Sequence, residues 1–114
     1  MEDDTKVAWS DFAKIDIRVG TILEAAVFEE ARKPAYKMVI DFGPLGTRKT
    51  SAQVTALYQP SDLIGRQIVA VVNFPPKQIA NIMSECLVLG AVGEQHEVTL
   101  LKPDQEVPNG TKIG

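Results

Sequence analysis

Few side chains in this sequence have the chemistry for catalysis or metal binding, and their settings argue against each in turn. The one histidine, His96, stands in the polar run Glu94-Gln95-His96-Glu97. That run reads as a solvated hairpin tip, with nothing to orient an imidazole as a general base. The one cysteine, Cys86, opens an apolar run, where a thiol behaves as a small inert hydrophobe and not as a nucleophile. Gly43-Pro44-Leu45-Gly46 lacks the length and the following Lys-Ser/Thr of a phosphate-cradling loop. Glu29 and Glu30 are adjacent, so their carboxylates do not converge and simply solvate a loop. No nucleophile, base and orienting group come together. The expectation is a binding protein, not an enzyme, with no metal and no cofactor.

Charge is the more informative signal. The chain carries −3 overall, which by itself argues mildly against a nucleic-acid binder. Between Arg32 and Lys77, however, stand Arg32, Lys33, Lys37, Arg48, Lys49, Arg66 and Lys77 against only Asp41 and Asp62. That stretch is +5 and the remainder −8. An acidic protein with a basic middle can draw an anionic or mixed partner to one face while staying soluble; the alternative is a chance scatter of surface cations.

These residues need elements to position them. Ser10 to Lys14 reads as one helical turn capped by Ser10, with Trp9 and Phe12 on one face. Ile15, Ile17, Val19, Thr21 and Leu23 alternate with polar or small residues, the pattern of a strand with one buried face, and Gly20 marks a bend or bulge. Tyr36, Met38, Ile40 and Phe42 line one side of a second strand and Lys37, Val39 and Asp41 the other. After the turn at 43–46, Arg48 to Val54 returns as a third, antiparallel strand. A short helical piece at Ala56–Tyr58 or at Ser61–Ile64 follows and ends at Gly65. Gln67 to Asn73 and Cys86 to Ala91 are nearly continuous apolar runs, expected as strands buried on both sides, with a loop at 74–85 between them.

Five strands with a helix between the third and fourth is the order of an OB barrel, so the fold class is all-β. One domain spans 1–114: an N-terminal turn within 1–14, the barrel over 15–91, and an extension over 92–114. In that extension Val98, Leu100, Leu101, Val107 and Ile113 need a surface to cover. They either seal one end of their own barrel or pair with a second copy, and the latter makes 92–114 a homodimer interface.

OB ligands meet the outer face of the second and third strands, framed by the loops after the first and fourth. Arg32, Lys33, Lys37, Arg48, Lys49 and Lys77 fall on those elements, with Ser51 and Asn73 beside them as hydrogen-bonding groups. Asn73 equally reads as a strand-end residue satisfying local backbone, and Phe74 as either a gripping ring or a core anchor. Met38 reads as core; Met83, with Ile79 and Ile82, reads as an exposed apolar element of the second loop. A lone cysteine, an acidic opening at Glu2-Asp3-Asp4 and no long apolar run point to a reducing cytoplasm and no membrane insertion.

The run Asp11-Phe12-Ala13-Lys14-Ile15-Asp16-Ile17-Arg18-Val19-Gly20 resembles the opening signature of the tRNA-binding domains. Four further stretches resemble the CsaA branch of that family: 31–37, Ser51-Ala52-Gln53-Val54-Thr55, 72–80 and 84–90. The ending at 103–110 fits as well. The resemblance implies a homodimeric, export-related chaperone that binds unfolded preproteins and the translocation motor SecA, with a barrel whose tail builds the dimer. Its alternative is structure-specific tRNA binding. The tRNA-binding signature Met-Arg-Gly followed by Ser-x-Gly-Met corresponds here to Ile79-Ala80-Asn81 and Ser84-Glu85-Cys86-Leu87. Ser84 is kept, and Lys77, Asn73 and Ser51 remain at matching places. Ala80 replaces the arginine, which removes a charge-assisted contact to an RNA backbone.

Overall fold

The computed structural model describes residues 5–114; Met1 and the acidic opening Glu2-Asp3-Asp4 lie outside the described residues. The chain is nearly all β and builds a nearly closed five-stranded barrel. Helix α1 covers Trp9–Ala13, one residue earlier than expected. Ser10 is not its cap: the Asp11 carboxylate accepts from the Ala8 N–H at 3.0 Å, so the acidic residue does the capping. Trp9 and Phe12 do share a face, and both remain exposed.

Strand β1, Ile17–Val27, runs 11 residues and pairs with three other strands. Its irregularity falls between Ile22 and Glu24, not at Gly20. Gly20 has a different reason: a Cβ there would lie 2.7 Å from Ile40 Cγ2 and Phe42 Cε1. Strand β2 is Tyr36–Asp41 and β3 is Thr47–Ala52, joined by a single 3-10 turn at Gly43–Leu45. Helix α2, Pro60–Leu63, resolves the two expected positions in favour of the later one. Proline opens it with its fixed φ, and the Asp62 carboxylate accepts from the Gln59 N–H. Strand β4, Gln67–Val71, is buried on both sides as its sequence requires.

The connection after β4 differs from the expected loop. Lys77–Ile79 (β5) and Ile82–Ser84 (β6) form a tight hairpin, with Ala80 at its turn holding a φ of 49°. The expected fifth strand is broken into β7, Leu87–Val88, and β8, Gly90–Val92. Only β7 joins the barrel, against β4, while β8 pairs with β9, Val98–Leu100. The run is therefore not buried on both sides: Leu87 is half exposed.

Barrel strands follow the order β3-β2-β1-β4-β7. Inside, Ile22, Ile40, Phe42, Leu63 and Ile68 are wholly buried, each contributing about 1.5–3 kcal/mol through its removal from water. Thr50 is the buried polar residue, and its hydroxyl donates to the Cys86 carbonyl at 2.8 Å.

The tail seals one end of its own barrel. Strand β10, Lys112–Ile113, pairs with Ile17 and Arg18 of β1. Val19 N–H donates to Thr111 O at 3.0 Å and Gly110 N–H to Val19 O at 2.7 Å. The Gln67 amide donates to Val107 O and accepts from Val107 N–H, and Thr21 donates to Asn109 Oδ1. Leu100, expected at an interface between copies, lies in its own core, and its N–H donates to Tyr58 Oη at 3.0 Å. Val98 packs against the same core, and Leu101 stays exposed.

Candidate functional site

Register decides which cations reach the outer face. Across β2 and β3, Lys37 pairs with Ser51, Val39 with Lys49 and Asp41 with Thr47. The intervening pairs, Met38 with Thr50 and Ile40 with Arg48, belong to the opposite face, where Met38 is buried. Lys37, Lys49 and Ser51 therefore share one surface, and Arg48 does not. The Arg48 guanidinium instead donates to Val72 O at 2.8 Å and Glu85 O at 3.4 Å, tying the end of β4 to the segment before β7.

Lys37 and Lys49 line a hollow of about 320 Å³ together with Glu24, Val39 and Ile82. Lys37 also sits over the Phe28 ring, with Nζ 5.9 Å from its centroid. Arg32 and Lys33 stand exposed in the connection from β1 to β2. Among the described residues the one ion pair is Arg18 with Asp16, remote from all of these in the chain. Among the described residues none of the cations of the outer face and its loops forms an ion pair, and Glu24 is the carboxylate that shares the hollow of Lys37 and Lys49.

A second hollow, of about 420 Å³, brings together four of the expected residues: Ser51, Phe74, Lys77 and Ser84, with Pro75, Ile79, Cys86 and Leu87. It adjoins a groove of about 380 Å³ that shares Ser51, Ile79 and Leu87 and continues past Gln53, Val54, Val88 and Val92. Phe74 and Leu87 are 54% and 50% exposed and Val92 68%, an unusual concentration of apolar surface in water. The β5–β6 hairpin divides this apolar stretch, which holds Ile79, from the lysine hollow, which holds Ile82.

Two expected residues do structural work. The Asn73 amide accepts from Asp16 N–H at 2.9 Å and donates to Lys14 O at 2.6 Å, pinning α1 to the end of β4. The Ser84 hydroxyl lies 3.0 Å from that of Thr50 and fastens the hairpin to β3. Cys86 is buried, and burial pushes its thiol up to about 11, against smaller opposing effects of the Thr50 hydrogen bond and the Arg48 charge. It stays protonated at neutral pH. His96 occupies the β8–β9 hairpin turn with a φ of 65°.

Sequence reasoning placed Ile79 at the surface and missed Pro75, Leu87, Val88 and Val92 as lining residues. The signal was the length of the run Cys86–Ala91: with Cys86 turned inward, alternation alone turns Leu87 outward.

Residues 17–112 match the family described as "Putative tRNA binding domain". A crystal structure of chaperone CsaA from Bacillus anthracis is 55% identical, with a TM-score of 0.92, covering 96% of this chain and 99% of that one. A CsaA chaperone from Picrophilus torridus is 54% identical, with a TM-score of 0.89, covering 96% of this chain and all of that one. Methionine--tRNA ligase from Methanococcoides burtonii is 33% identical over 107 residues, which are 94% of this chain and 16% of the ligase. The chain thus spans about a sixth of the curated relatives it matches. It belongs to the tRNA-binding-domain family and, within it, is similar over nearly its whole length to the CsaA chaperones.

Proposed function

We propose that this protein is a chaperone that holds unfolded polypeptide segments and works as a homodimer. One observation carries the reading: two joined apolar hollows at the β3–β7 side, bordered by Lys77, which forms no ion pair among the described residues. Apolar side chains scattered singly over a surface need no explanation, but Phe74, Ile79 and Leu87 gathered in one hollow call for an apolar partner. A lining that mixes apolar side chains, hydroxyls and ammonium groups suits extended chain of varied sequence. Export preproteins are the substrates this reading brings, and SecA is the partner that would receive them. The reducing cytoplasm is the compartment in which Cys86 stays a thiol. No helix among the described residues is long and apolar enough to cross a membrane.

The similarity to CsaA chaperones over nearly the full chain supports this reading over tRNA binding. So does the hairpin turn Ile79-Ala80-Asn81-Ile82, which presents no cation to a phosphate backbone.

For the dimer, the support lies at α1. Val7, Trp9, Phe12 and Gly114 line an apolar groove of about 610 Å³, and Trp9, the only tryptophan, is 86% exposed. A second copy seated there would join α1 to the chain end beside Ile113 and leave Leu100 in its core. Dilution of the protein should then shift tryptophan emission to the red as Trp9 returns to water, while Trp9→Ser should sediment as a monomer. Emission unchanged by concentration, with a monomeric wild type, would remove the dimer.

Chaperone action is tested by the light scattering of an unfolded substrate diluted into buffer. The protein should suppress it in proportion to its concentration, and added tRNA should not compete. No suppression at several-fold molar excess rejects the reading; tight, salt-sensitive tRNA binding together with no suppression favours the alternative.

A further inference from the structure

The barrel has a seam. Strands β3 and β7 are the two ends of the strand order, and no ladder joins them. Hydrogen bonds around Lys49, Thr50 and Glu85 hold them together, all at one level. Glu85 N–H donates to Lys49 O at 2.8 Å, Lys49 N–H donates to a Glu85 carboxylate oxygen at 2.9 Å, and the Thr50 hydroxyl donates to Cys86 O. Beyond that level the two strands border the open groove, with Ser51 to Val54 on one bank and Leu87 to Gly90 on the other.

Backbone direction follows from those contacts. Both main-chain groups of Lys49 turn away from β2 toward Glu85. Strand groups alternate sides with period two, so the N–H and C=O of Ser51 turn the same way, into the groove. On the far bank the Cys86 carbonyl faces Thr50, and Val88, two residues on, faces the groove in turn. Leu89 N–H points back to Val69 O, as that alternation requires. The groove is thus bordered by two strand edges, with Ile79, Leu87, Val92 and Val98 along it. Lys77 stands in the adjoining hollow, exposed and without an ion-pair partner among the described residues.

We propose that the seam takes an extended apolar peptide as an added strand, bonded through its backbone to the edges at Ser51 and Val88, with an acidic residue of the peptide against Lys77. Edge hydrogen bonds read no sequence, while the apolar lining and one ammonium group select apolar segments with an acidic flank. The Lys77 ammonium calls for an acidic group on the occupant, and a helix would leave both edges unbonded. The inference rests on the polypeptide-holding reading and gives it a site and a binding mode.

The probe is a ten-residue peptide of alternating valine and threonine ending in aspartate, beside the same peptide N-methylated at every second amide. N-methylation removes backbone donors and keeps the apolar surface. The parent should bind and slow hydrogen exchange at the Ser51 and Val88 amides, and the N-methylated peptide should bind about tenfold or more weakly. Ser51→Pro removes an N–H that faces the seam and not the ladder to β2, and should weaken the parent similarly while the circular dichroism stays unchanged. Replacing the terminal aspartate with lysine should weaken it further at low salt than at high salt.

Equal binding of the two peptides without amide protection overturns strand addition and leaves polypeptide holding intact. Amide protection that rises with protein concentration in the absence of peptide assigns the seam to a second copy and also overturns it. Failure to bind either peptide or any unfolded substrate rejects the functional reading beneath it.

Discussion

The tail-capped end of the barrel and the β3–β7 side use their polar groups in opposite ways. At the capped end Arg18 bonds Asp16 and the Gly110 carbonyl, while Thr21, Gln67 and Asn109 form one linked set. On the β3–β7 side Lys77, with no ion pair among the described residues, shares a hollow with half-exposed Phe74 and Leu87. The first region spends its chemistry on the fold; the second leaves it available to a ligand. Substitutions in the two regions should therefore separate stability from binding.

The largest effect is expected at the capped end from Gly110→Ala. Gly110 has a φ of 92°, and a Cβ there would lie 2.6 Å from the Phe42 carbonyl oxygen. Strain and backbone overlap together should cost about 2–4 kcal/mol in denaturant unfolding. Asn109→Ala comes next. It strips an acceptor from Thr21 and Gln67 and should cost about 1–3 kcal/mol, with aggregation suppression per folded molecule unchanged. On the β3–β7 side, Leu87→Ser should move stability by no more than about 0.5 kcal/mol, because the side chain is half in water already, and should weaken substrate holding several-fold. A mutant that lost stability there, or kept full activity, would erase the distinction between the regions.

The smallest effect concerns pH. The Cys86 thiol is held at about 11 in the fold against 9.0 when free, so the unfolded chain releases its proton first as pH rises. Its contribution to stability is complete below about pH 9 and is lost as pH climbs through 11. Cys86→Ala should flatten that alkaline decline, measured as unfolding midpoints between pH 8 and 11. An identical decline in the variant would mean that other groups cause it.

The barrel itself was legible because β2 and β4 are patterned clearly; in β1 the irregularity between Ile22 and Glu24 breaks the expected alternation, so Ile22 is buried and Leu23, expected inside, is exposed. Tyr36, Met38 and Ile40 alternate with Lys37, Val39 and Asp41, and the structure keeps that division. The β5–β6 hairpin was hidden by Pro75-Pro76, which reads as irregular chain, while the two-residue turn at Ala80-Asn81 lacks the glycine that usually marks one. The run at Cys86–Ala91 misled because continuous apolar character spells two-sided burial. The run changes partner at Leu89, from β4 to β9, before that burial is complete, and Leu87 is left facing water. Arg48 was readable in principle: adjacent to Lys49 on one strand, it had to point to the other face. Asn73 was not, since its partners Asp16 and Lys14 lie 57 and 59 residues away and only the folded chain brings them near.

The central claim is that the exposed apolar hollow beside Lys77 holds unfolded chain. Its most direct test compares aggregation suppression by wild type, Phe74→Ser/Leu87→Ser and Asn109→Ala, each at the same folded concentration. The hollow variant should lose most of its activity with an unchanged unfolding midpoint, and Asn109→Ala should keep its activity with a lowered one. Full suppression by Phe74→Ser/Leu87→Ser would place polypeptide binding elsewhere on the molecule and contradict the account.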